Sequence, residues 1–213
     1  ELILATAAAA LLTGALTACV PLVLGGAAAG GSLVATDRRT SGAQLEDEGI
    51  ELRASSRLRT ALGERAHVNL TSYNRQVLLT GGVPTAQDKQ LVEQIVSRVE
   101  NVSSVVNELA VMGNTSLTNR SSDVLVTGEV KAALIDAPDL FANSFKVVTE
   151  RGTTYLMGRV TQREADRGTA VVRSTPGVQK VVRILDIISE EELARMLPTP
   201  SKPAPAGAKP ASN

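Results

Sequence analysis

Apolar positions fall into two blocks of one design. In residues 46–115, Ile50, Ala54 and Leu58 recur at i, i+4 and i+8, which is one face of a helix. In residues 120–188, Val126, Val130 and Leu134 recur at the same spacing when Asp47 is aligned with Asp123. Residues 68–81 and 145–158 then match, each as two short strands around a turn, Asn74-Arg75 in one and Arg151-Gly152 in the other. Val68, Leu70 and Ser72 alternate along one strand, and Phe145, Val147 and Thr149 along the other. A second helix follows each hairpin. Thr85 with Asp88, and Thr161 with Glu164, both place a hydroxyl acceptor at the helix start and an acid in its positive first turn. Leu91, Ile95 and Val99 continue one helix face; Ala165, Gly168, Val171 and Val172 continue the other. Asn101 and Gly177 suit a left-handed turn, and β-rich runs follow over residues 102–111 and 178–188. The shared order is helix–strand–strand–helix–strand. Repetition at this level is the first indication of the architecture.

The two ends follow other patterns. Residues 2–36 carry no charge. This stretch is either a bilayer-spanning helix or an export signal. Leu16-Thr17-Ala18-Cys19 resembles the lipobox of bacterial lipoproteins, in which the Cys thiol takes a diacylglyceryl group and the peptide is cut before it. The other reading makes Cys19 a small hydrophobe in a membrane helix, but Pro21 and Gly25-Gly26 would break that helix. The lipobox resemblance makes residues 1–18 a signal peptide. Residues 19–45 are then a lipidated Cys and a Gly/Ala-rich tether. Val20 in place of Asp after the Cys resembles the outer-membrane class. Residues 189–213 begin with a capping box at Ser189 and an apolar helix side of Leu193, Met196 and Leu197. They end in a Pro/Ala-rich tail expected to be disordered.

Composition narrows the chemistry. The 213 residues are 43 % hydrophobic and 21 % charged, and so globular, with 22 basic and 22 acidic side chains. Zero net charge offers no drive towards a phosphate backbone, and 2 % aromatics offer no stacking platform, so nucleic acid is not an expected partner. One Cys and one His exclude disulfide frameworks and multi-ligand Cys/His metal sites. His67 has Ser144 as its repeat counterpart, so the repeat does not require a His there and no catalytic role is assigned. Residues 46–48 read as a solvated helix start. The paired glycines lack a nucleotide-loop context. No catalytic residue, metal site or cofactor is expected.

The αββαβ order, the Gly closing each second strand (Gly81, Gly158) and the Asn/Gly-Val pairs at 101–102 and 177–178 resemble BON domains. With the lipobox and tether they resemble the DolP/YraP class of tandem BON outer-membrane lipoproteins, whose tether end is also similar to residues 36–47 here. The resemblance implies an α+β fold with two tandem BON domains, each a three-stranded mixed sheet packed by two helices. It also implies a non-enzymatic, lipid-anchored protein on the periplasmic face of the outer membrane that supports envelope integrity. Its second domain would meet anionic phospholipid through its first helix. That helix carries Leu125, Lys131 and Ile135 outside the core face, although Glu129 and Gly128 weigh against the contact. The alternatives are that these residues pack on the other domain, and that the chain is an adaptor docking an envelope protein.

Overall fold

Helix α1 (Ser41–Leu62) begins before the apolar periodicity does. Thr40 sets the start, its Oγ1 accepting the Ala43 amide at 3.1 Å. Ile50, Ala54, Leu58 and Leu62 line its buried face. Strands β1 (His67–Tyr73) and β2 (Gln76–Val83) form an antiparallel hairpin. Its two turn residues, Asn74 and Arg75, have φ of 50° and 67°, the paired positive values of a type I′ turn. Thr85 then caps α2 (Ala86–Ser97), its Oγ1 accepting the Asp88 amide at 3.0 Å. Strands β3 (Ser104–Asn107) and β4 (Ala110–Val111) both run parallel to β2. The computed structural model describes residues 37–112 and 117–196.

The second copy repeats this plan with α3 (Leu117–Ile135), β5 (Phe145–Glu150), β6 (Thr153–Thr161), α4 (Gln162–Ser174) and β7 (Lys180–Ile188). β5 is antiparallel to β6, and β7 is parallel to it. The Thr161 and Glu164 side chains each accept the other's backbone N–H, a complete capping box. A final helix, α5 (Glu190–Met196), starts where Ser189 accepts the Glu192 amide at 3.1 Å, and it buries Leu193. Leu197 and the Pro/Ala-rich tail lie outside the described residues, as does everything before Asp37.

Three expectations need correction. The last strand of the first copy is not continuous: Leu109 is buried in the core, and its amide turns to Asn107 Oδ1 at 3.2 Å, so the ladder breaks between β3 and β4. The core edge of α2 is Val92 and Val96, with Leu91 and Ile95 packed beside it, one position round from the predicted face. Asp47 is not a solvated helix start. It is 2 % exposed and accepts the Asn74 and Arg75 amides at 2.7 and 2.8 Å and the Ser72 hydroxyl at 2.7 Å. Its counterpart Asp123 accepts the Arg151 and Gly152 amides at 2.7 and 3.0 Å. In both copies one carboxylate therefore ties the first helix to the hairpin turn.

The glycine shared by the second strands has a steric cause. A Cβ on Gly81 would lie 2.1 Å from the His67 carbonyl oxygen, and one on Gly158 would lie 2.3 Å from that of Ser144. Backbone approaches backbone there, and a side chain has no room.

Each sheet buries one face under its own helices. Ile50, Leu58, Val77, Leu79, Val92 and Val96 form one such core, and Val126, Val130, Leu134, Leu156, Val160 and Val172 the other. The opposite faces meet each other: Tyr73 and Leu78 from the first sheet pack with Tyr155, Met157 and Ile184 from the second. The layers run helix, sheet, sheet, helix, and polar bonds cross the seam, such as Lys146 Nζ to the Ser72 carbonyl at 3.2 Å.

Candidate membrane-facing site

Helix α3 presents its core face through Val126, Val130 and Leu134, all buried. At about 100° per residue, Val124, Gly128, Lys131 and Ile135 form a stripe on its outer side, at i, i+4, i+7 and i+11. Leu125 and Ala132 lie beside this stripe, about 80° round from Ile135 in the case of Leu125. All six residues are exposed. The three large apolar ones stand out: Val124 is 71 % exposed, and Leu125 and Ile135 are each 69 % exposed. Leu125 and Ile135 therefore do not pack on the first domain. The charged residues of this face are Lys131 at one edge of the stripe and two exposed acids, Glu129 and Asp136, beyond Leu125 on the other side. Val124 is not among the residues the sequence pattern singles out; its i+7 and i+11 spacing to Lys131 and Ile135 is the signal that puts it on the same stripe.

Beside the Lys131–Ile135 edge lies a cleft of about 340 Å³, walled also by Asp37, Arg39, Tyr73 and Lys146. Its cations differ in how they are held. Arg39 stacks 4.3 Å over the Tyr73 ring and bonds Asp37 and Asp47 at 2.6 and 2.7 Å. Lys146 lies 3.2 Å from Glu51. Lys131 is exposed at the mouth, next to the apolar face. Burial opposes the charged form of Asp47. The hydrogen bonds from Ser72, from the Arg75 amide and from Arg39 outweigh it and hold this carboxyl below its ordinary pKa.

The lipidation candidate, Cys19, lies outside the described residues. His67 opens β1, at the far end of that strand from Tyr73 and the cleft. Among the described residues, no helix is long and apolar enough to cross a membrane, and no group of His, Cys, Asp and Glu is arranged to hold a metal.

The BON domain model matches residues 47–113 and again residues 122–188. The chain is 35 % identical over 171 residues to the outer membrane lipoprotein DolP of Haemophilus influenzae, covering 79 % of this chain and 88 % of that protein. It is 30 % identical over 154 residues to a 21 kDa hemolysin of Actinobacillus pleuropneumoniae, covering 71 % and 79 %. Among solved structures it aligns with CdsD, a structural protein of the type III secretion system of Chlamydia trachomatis, at 14 % identity and a TM-score of 0.27 over 72 % of this chain and 96 % of that one. Two matched domains covering most of the chain, and a relative matched over nearly its whole length, settle the family: this is a tandem BON-domain protein of the DolP class of outer-membrane lipoproteins.

Proposed function

We propose that this chain is a non-enzymatic protein, anchored through a lipid on Cys19 to the periplasmic face of the outer membrane, whose α3 outer face binds anionic phospholipid and thereby supports envelope integrity. The exposed apolar face of α3, bordered by Lys131, carries this reading. A globular surface gains little from three large aliphatic side chains in water. Full insertion would contribute roughly 1.5–3 kcal/mol each, and a cation near an anionic surface about 1 kcal/mol more. A face of this kind is an interfacial contact, and the anchor would hold it at the membrane surface.

Sedimentation with vesicles containing phosphatidylglycerol tests the reading. Val124→Glu with Ile135→Glu should abolish binding while the thermal melt stays at the wild-type value. Lys131→Glu alone should weaken binding. Wild-type binding should fall as salt rises, because exposed charges are screened beyond about 10 Å at 0.1 M. A folded double variant that sediments like wild type removes α3 as the lipid site. In that case a second reading takes over. Leu45 and Leu52 on α1 are 70 % and 74 % exposed, and they favour an adaptor that docks an envelope protein through its first domain.

A further inference from the structure

Three consecutive residues ahead of the first repeat bind different parts of the molecule. Arg38 reaches into the second domain. Its two terminal nitrogens bond the two Glu164 carboxylate oxygens at 2.7 Å each, and Nη1 also donates to the Arg159 carbonyl at 3.1 Å. The guanidinium lies 5.6 Å from the Phe141 ring centre. The pair is closed from water, with side chains 5 % and 1 % exposed. Arg39 turns to the first domain and holds Asp47, the carboxylate that ties α1 to its hairpin. Thr40 caps α1.

The repeat shows what is special about this arrangement. Asp88 and Glu164 are equivalent acids, each three residues after a capping Thr. Asp88 pairs at 3.0 Å with Arg65 of its own domain, a side chain that is 54 % exposed. Glu164 is instead buried under an arginine from outside its domain, more than a hundred residues away in sequence. A buried carboxylate needs such a partner, because the Thr161 amide alone does not compensate for its lost hydration.

We propose that residues 37–40 form a clip that locks the two BON domains into one body, with Arg38 as its plug in the second domain and Arg39 as its hold on the first. The apolar seam between the sheets keeps the domains in contact, since it is non-directional. The clip fixes their mutual angle through a planar, two-pronged bond.

The test uses the full chain carrying Cys19→Ser, with spin labels on Thr60→Cys in α1 and Arg173→Cys in α4. The parent should give one narrow label-to-label distance and one cooperative thermal transition. Arg38→Met and Glu164→Gln should each broaden the distance distribution and split the melt in two. Arg38→Lys, which keeps the charge and loses the fork, should fall between the parent and these two variants. A narrow distance and a single transition in either variant that retains its helical signal overturn the clip. Loss of the second domain's fold in both variants overturns it as well, because Arg38 is then part of that domain rather than a link between two. Neither readout involves lipid, so the outcome is independent of the α3 reading.

Discussion

The twin aspartates and twin glycines carry the repeat at the scale of single residues. Asp123 holds two turn amides, Arg151 and Gly152. Asp123→Ala leaves both without a partner and should cost about 1–3 kcal/mol. Asp47→Ala should cost more than Asp123→Ala, since Asp47 also binds Ser72 and Arg39. Urea titrations of the two variants give the comparison, and equal losses would show that the extra bonds contribute nothing net. Gly158→Ala drives a methyl into the Ser144 carbonyl and should destabilise by about 1–3 kcal/mol, as overpacking does. At Cys19 the expected outcome is chemical: wild-type chain incorporates labelled palmitate and Cys19→Ala does not.

α3 serves two environments at the scale of the element. Its inner face packs on its own sheet with Val130 fully buried, and its outer face carries Val124, Leu125 and Ile135 into solvent. Val130→Asp puts an unpaired charge into the second core, and an effect on the order of 4 kcal/mol or more is expected. Limited proteolysis should then cut the second domain first. A variant as resistant as wild type would contradict the packing of α3. The outer face works the other way: substitutions there should leave the melt alone and change only what the helix binds.

Acid sensitivity belongs to the whole molecule, because the groups responsible join its parts. Glu164 is buried, which opposes its charge, yet the Arg38 bonds and the Thr161 amide lower its pKa below the ordinary 4.5. Asp47 is lowered below 3.8 in the same sense. A carboxyl whose pKa is lower folded than unfolded contributes stability above the unfolded value and loses it as pH falls through the folded value. The assembly should therefore be insensitive to these two groups between pH 6 and 8 and weaken as pH drops below about 4. In Glu164→Gln that acid-side loss should shrink. Denaturant unfolding at neutral pH and near pH 3 measures it, and an unchanged pH slope would show that Glu164 is not linked to folding.

The elements and their repetition are legible in the residues alone, because they depend on local rules. Helix faces follow from 3.6-residue spacing, caps from Thr85 and Thr161, and turns from residues that tolerate positive φ such as Asn74 and Gly152. The same spacing places Leu125, Lys131 and Ile135 outside the core face of α3. What the sheet backs meet is set by packing at long range, since Leu78, Met157 and Ile184 alternate in strands like any apolar residue and nothing local names their partners. The same holds for Asp47, whose acidic neighbours suggest a solvated face until the hairpin turn closes over it. It holds most clearly for Arg38 and Glu164. Each is an ordinary charged residue in its own segment, and only the packing of two domains against one short strand of chain brings them within 2.7 Å.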